Sequence, residues 1–297
     1  MAYTRFSNTF DAGTQGATIT AANSSTSGNA FTQIFGTGVN TYDSAAAIQG
    51  ARGMLSEANA SVAAFYADFG VAVAAGGLSF EFSLASLPGS DFHIGRLVDS
   101  SQARAVSIHV SNTNRLRFSD LTGTASGIWT ATNPLVAGTR YRVELWAKAG
   151  STSTTGEIKG AYFLAGSTTP IESFSITNAS IATGTPFKGV TVGRITSSTI
   201  QLSVDSVVWE MDSTGLPGPY VTPATALATP VVVLGATVNP TTIGGTNGKQ
   251  TVTWSAVANA ASYEAWIAHS TSPAQGDFTL VATGVTSPYQ FTGLPAG

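Results

Sequence analysis

From Leu78 to Asp212 apolar and polar residues alternate with a period of two, the pattern of strands with one buried face. In the run from Leu78 to Leu84, Leu78, Phe80, Phe82 and Leu84 share one side, with Ser79, Glu81 and Ser83 on the other. Val106, Ile108 and Val110 alternate likewise with Ser107 and His109, and Tyr141, Val143 and Leu145 with Arg142, Glu144 and Trp146. Further strands are predicted at 92–98, around Leu116 and Phe118, and at 158–164, 190–195 and 199–211. The segments between them, such as 111–114 and 149–156, are rich in Ser, Thr, Asn and Gly, which suit tight turns. Many short strands without strand–helix alternation predict an all-β sandwich or barrel.

One stretch carries a different period. Ile48, Ala51, Leu55, Ala58, Val62, Phe65 and Phe69 recur at the three-to-four spacing of a helix. Gly50 and Gly53 would weaken a helix interior, and Asn59-Ala60-Ser61 reads as a turn. Strands near 47–57 and 62–69 are therefore predicted.

The pattern breaks after Asp212. Residues 214–229 hold Pro217, Pro219 and Pro223 without hydrophobic period and read as a linker. The chain thus divides into a domain at 1–213, a linker at 214–229 and a second β module at 230–297. A hydrophobic fraction of 43% supports real cores, and charged residues make up only 10%. The net charge of −3, with no basic block, gives nucleic acid no electrostatic footprint. No cysteine is present, which removes disulfides, thiolate chemistry and Cys-ligated zinc. The longest apolar stretch, 69–78, is too short to cross a bilayer and contains Gly70, Gly76 and Gly77. The opening residues lack the basic and apolar regions of a secretory signal.

Two resemblances cover most of the chain. Thr251-Val-Thr-Trp-Ser255, Ala261 to Ile267 with Tyr263, Phe278 to Ala282, and Tyr289 to Pro295 resemble successive strands of a fibronectin type III module. That likeness implies core or edge positions for Trp254 and Trp266. It also implies an incomplete module, and hence a natural protein that continues past Gly297. Asn8 to Gly13, Leu78 to Pro88, Leu135 to Leu145 and Val204 to Asp212 together resemble the concanavalin A-like, laminin-G-like jelly-roll superfamily. The pairing of the two is similar to that in minor tail and other virion proteins of phages infecting actinobacteria. It implies a non-enzymatic structural and adhesive protein on the virion surface, homo-oligomeric, with other virion proteins and host cell-wall glycan as partners. The competing expectation is a carbohydrate-binding accessory region of a secreted polysaccharide-degrading enzyme. The jelly-roll likeness also allows a structural Ca²⁺ held by Asp11 and Asp205.

Catalytic constellations are thin. Glycoside hydrolysis needs two carboxylates flanking the bond, and the nearest arrangement, Glu210-Met-Asp212, lacks a third acid and sits at a strand end. The histidines are His93, His109 and His269, with no metal-ligand spacing and no nucleophile elbow; His93 and His109 read as strand-face residues. For sugar recognition, an exposed aromatic beside polar groups is required. Trp146 with Arg142 is the predicted platform, and Trp129, in a loop, the second aromatic. Trp209 is read as a packing residue of the last strand.

Overall fold

The computed structural model describes residues 4–57, 61–121 and 128–220, and beyond these 232–234, 248–254, 263–268, 278–286 and 289–294. It separates into two compact units, Met1–Tyr220 and Val221–Gly297.

In the first unit, eight antiparallel strands form one sheet: β1 (Thr4–Asn8), β3 (Asn40–Asp43), β4 (Gly53–Ser56), β6 (Ala75–Leu84), β11 (Tyr141–Lys148), β12 (Gly156–Leu164), β13 (Glu172–Ala179) and β15 (Leu202–Met211). Their order is β13-β12-β11-β6-β15-β4-β3, and β1 pairs with β15. The second sheet has seven: β2 (Gln33–Phe35), β5 (Ala63–Val73), β7 (Phe92–Val98), β8 (Arg104–Val110), β9 (Leu116–Ser119), β10 (Ile128–Thr130) and β14 (Phe187–Arg194). They run β10-β9-β8-β7-β14-β5-β2. The chain passes repeatedly between the sheets, so sequence neighbours such as β6 and β7 lie in different layers. This is an antiparallel two-sheet sandwich, one of the two forms the alternation predicts, and its arrangement is the jelly roll that the resemblance implies.

The core is the set of inward positions of both sheets. Leu78, Phe80 and Phe82 from β6, Val143 and Leu145 from β11, and Val204, Val207 and Trp209 from β15 bury fully or nearly so against Ile94, Leu97, Val106, Ile108, Phe118 and Val192. Burial of each large apolar side chain contributes about 1.5–3 kcal/mol. Trp209 stacks on Phe6 at 5.8 Å and on Phe31 at 5.7 Å, and is the packing residue expected. Two irregularities keep the pattern in phase. In β15 the register shifts between Asp205 and Val208, and Ser206 takes φ 51° as the extra residue, so that Val204 and Val207 both face inward. In β7 the register shifts between His93 and Gly95. A Cβ on Gly95 would lie 2.9 Å from Phe80, so only glycine fits there.

The segment with helical spacing is not a helix. Strands form at Gly53–Ser56 and Ala63–Val73, while residues 44–52 make a loop, so the first strand is shorter and the second longer than predicted. Asn59 and Ala60 lie outside the described residues.

Residues 214–220, predicted as the start of a linker, belong to the first unit. Pro217 packs where a Cβ on Gly77 would stand, 2.7 Å from its ring, and Arg5 donates to the carbonyl oxygens of Pro217 and Pro219. The remaining linker positions, 221–229, lie outside the described residues. The second unit contains β16 (Val232–Leu234), β17 (Gly248–Trp254) and β20 (Tyr289–Leu294) in one sheet and β18 (Glu264–Ala268) and β19 (Phe278–Thr283) in another. No helix among the described residues is long and apolar enough to cross a membrane.

Candidate functional site

Strand alternation gives each sheet an outward face, and the two faces differ in chemistry. On the seven-stranded sheet, register aligns Gln33, Tyr66, Thr191, Arg96, Ser107 and Ser119 in one row across β2, β5, β14, β7, β8 and β9. The adjacent row on β7, β8 and β9 is His93, His109 and Arg117. A cleft of about 320 Å³ opens on this face, lined by Phe35, Ala64, Arg96, Gln102 and Thr191 among others. Phe35 supplies an aromatic wall, its ring 6.0 Å from that of Tyr66.

Several polar atoms here lack partners. Buried nitrogens of His93 (Nδ1), Arg96 (Nε), His109 (Nδ1 and Nε2) and Arg117 (Nε) have no acceptor or donor within hydrogen-bonding reach. Buried polar groups are normally satisfied, and each orphan costs about 1–3 kcal/mol; these nitrogens lie beneath the surface of this face, and Ser79, Glu81 and Ser213 carry comparable orphans on the outward side of the other sheet. The imidazoles lie face to tilted face with centroids 4.7 Å apart. Burial, then the neighbouring cations and imidazole, pushes His93 down to about 3; burial and Arg117 push His109 down to about 4. Both are therefore neutral at pH 7. Because the folded values lie below the unfolded value near 6.5, this pair's contribution to stability is fully present above pH 6.5 and is lost as pH falls toward 4. Imidazole NMR titration is expected to show neither ring protonating above pH 5; a midpoint near 6.5 for either would place it in solvent.

The outward face of the eight-stranded sheet, where the sugar platform was predicted, is covered. Trp146 is 2% exposed; its Nε1–H donates to the Ser213 carbonyl at 2.8 Å, and Lys159 sits over its ring at 4.7 Å. Arg142 is 4% exposed, donating to Glu144 and the Ser167 carbonyl at 2.8 Å each, with its guanidinium 3.9 Å above Phe163. The alternation placed both on the non-core face correctly, but residues 213–219 lie across that face and exclude a ligand from Trp146. Burial raises the pKa of Glu144 and of Glu81 on the same face. Trp129 is on the edge strand β10, not in a loop, and its ring is stacked on Phe174 at 4.5 Å and 10°. It belongs to the other sheet from Trp146, so the three predicted residues form no common site.

Asp11 and Asp205 converge, on the loop before β4. Asp205 Oδ2 accepts from the Ile48 and Gln49 amides at 2.7 and 2.8 Å, and its Oδ1 from Ser206 N at 2.6 Å. Asp11 Oδ1 accepts from Ala51 N at 2.6 Å and Arg52 N at 3.2 Å. This donor set does not suit calcium, which needs six to eight oxygen ligands: three of the four carboxylate oxygens already accept from N–H groups, and no metal-binding group of three acids or histidines occurs among the described residues. Glu210 is buried and paired with Arg5 at 2.8 Å, while Asp212 follows the end of β15 with φ 52°.

The architecture is that of a two-sheet antiparallel jelly roll. Among solved structures the chain is similar to an endo-β-1,4-glucuronan lyase from the fungus Trichoderma reesei (14% identity, TM-score 0.47, covering 62% of this chain and 92% of that one). It is also similar to a marine PL-14 alginate lyase from Aplysia kurodai (9%, 0.46, 69% and 95%) and to lectin II from Ulex europaeus (10%, 0.39, 61% and 94%). At these identities the likeness concerns the fold alone. No family model and no curated protein matches the sequence.

Sequence reasoning did not single out Arg96, Phe35 or Arg117, which the structure brings to this face. Strict alternation puts Arg96 on the face opposite His93, with Ile94. The shifted register at Gly95 brings Arg96 and His93 to the same side, and the glycine inside the strand was the signal available.

Proposed function

We propose that this chain is a non-enzymatic adhesive protein that binds carbohydrate through the outward face of its seven-stranded sheet, and that it serves on a phage virion as a minor tail or fibre component attaching to host cell-wall glycan. The observation that carries the binding site is Arg96, which lines the Phe35-walled cleft with its Nε unpaired; the orphaned nitrogens of His93, His109 and Arg117 belong to the adjacent row of the same sheet. An aromatic face and unsatisfied polar groups are what sugar C–H faces and hydroxyls require. The non-enzymatic reading is supported by the acids: Glu210 is tied to Arg5, and Asp205 and Asp11 to backbone amides. The virion reading is supported by the sequence resemblance alone; the second unit's strand order bears only on the fold of that unit. There the first, second and fifth strands share a sheet and the third and fourth pair separately, a split in keeping with a fibronectin type III sandwich. Homo-oligomers and contacts with other virion proteins would make weak sites effective through avidity.

The test is binding of the full chain to host wall polysaccharide fractions by biolayer interferometry. Binding to at least one fraction is expected, weakened about tenfold, or about 1.4 kcal/mol, by Phe35→Ala. Absence of binding to every fraction, or binding indifferent to Phe35→Ala, would remove the site. Hydrolysis or eliminative cleavage of any fraction would overturn the non-enzymatic reading.

A further inference from the structure

Arg96 is a cation without a counter-charge among the described residues. Its Nε is buried with no acceptor, its row neighbours Thr191 and Ser107 are neutral, and Ser107 is already bonded to Ser119 at 2.8 Å. The acids on the same face are engaged elsewhere: Asp91 pairs with Arg117 at 3.1 Å, and Asp68 with Lys188 at 3.1 Å. The charge that acts on Arg96 is that of Arg104, another cation, and together with burial it lowers the Arg96 pKa. Leaving a guanidinium half-buried and unpaired is costly, whereas a planar carboxylate can meet it through two parallel N–H···O bonds. Around that charge the cleft offers the Phe35 ring and the Ala64 methyl on one side and Ser101 and Gln102 as hydroxyl partners. Its volume of about 320 Å³ is at the small end for ligand sites, suited to a monosaccharide unit rather than a large aglycone.

We infer that this cleft receives a carboxylated sugar, a uronate unit of an acidic polysaccharide, with the carboxylate on Arg96 and the ring against Phe35. The inference rests on the glycan-binding reading above and narrows it to one chemical class. Sequence composition hides this preference, since the whole chain is net acidic at −3; the positive charge is local to one face.

Calorimetry on the full chain tests it with oligogalacturonate, oligoglucuronate and oligomannuronate, each beside its carboxyl-reduced neutral counterpart, at physiological salt. At least one acidic oligosaccharide is expected to bind tenfold or more tightly than its neutral counterpart. Arg96→Gln is expected to abolish the preference for the acidic form, so that acid and neutral oligosaccharides bind that variant alike, and Arg96→Lys to keep part of the preference, retaining charge without the bidentate fork. A melting curve of Arg96→Gln no lower than wild type checks that the fold is intact. Equal binding of acid and neutral forms overturns the uronate inference and leaves the glycan site standing. Discrimination that survives Arg96→Gln overturns the assignment to this cleft. If no oligosaccharide and no wall polysaccharide binds, both readings fall.

Discussion

Replacing Trp146 with alanine is expected to destabilise the first unit by about 3–5 kcal/mol, the range for truncating a buried tryptophan. The indole is enclosed between Lys159 and the 213–219 segment, and its N–H holds the Ser213 carbonyl. Truncation therefore removes packing area and a buried hydrogen bond, and loosens the segment that covers this part of the polar face. For a unit of this size the melting temperature should fall by about 10 °C, and proteolysis between Ser213 and Tyr220 should accelerate. Trp146→Phe keeps most of the packing and loses the N–H donor, so a cost of about 1–2 kcal/mol is expected. Neither change should alter sugar binding beyond what unfolding explains, because the Arg96 cleft lies on the other sheet. A Trp146→Ala protein that melts with wild type and loses sugar binding would reinstate this tryptophan as an exposed platform.

The contrast between Trp146 and Arg96 shows what periodicity can and cannot carry. Period two assigns a residue to a sheet face, and it did so correctly for Tyr141, Val143 and Leu145 inside and Arg142, Glu144 and Trp146 outside. It is silent on what crosses that face afterwards. The covering segment contains Pro217 and Pro219, which read as linker chemistry because proline-rich stretches without apolar period usually are; Arg5, more than two hundred positions away, captures their carbonyls. Long-range capture of an irregular segment has no local signature. The second blind spot is the bulge. One inserted residue reverses every later assignment along the strand, so His93 and Arg96 could be joined only by knowing that Gly95 absorbs the extra position. His93 and His109, sixteen positions apart, become direct partners through the β7–β8 hairpin, a pairing alternation alone does not fix. The helical spacing between Ile48 and Phe69 misleads for a related reason: it spans a loop and two strands, and the glycines Gly50 and Gly53 were the better guide.

Asp205 is expected to be the most demanding acid in the chain, and its removal should show how the loop before β4 is held. Asp205→Ala leaves the amides of Ile48, Gln49 and Ser206 without their acceptor. At about 1–3 kcal/mol for each buried donor, with part of the loop able to reach water, a loss of about 3–4 kcal/mol is expected. The pH dependence separates this carboxyl from an ion site. Burial pushes its pKa up to about 7, the three amide donors oppose that rise, and the nearby Glu81 adds to it. Since the unfolded value is near 3.9, the folded chain holds a proton between about pH 4 and 7 that the unfolded chain does not. The resulting stabilisation is complete below about pH 4 and is lost as pH rises through 7. Asparagine carries no such proton, so the stability gap between wild type and Asp205→Asn should widen by about 2 kcal/mol on going from pH 8 to pH 5. Denaturant melts at the two pH values measure it, and a gap that stays constant would mean the carboxyl titrates alike in both states. Adding calcium or chelator should leave the wild-type midpoint unchanged, because the amides of residues 48–52 face the oxygens a cation would need. A calcium-dependent rise in melting temperature that disappears in Asp205→Asn would show instead that the loop gives way to an ion, and that Asp11 and Asp205 join the ends of the domain through metal rather than through hydrogen bonds.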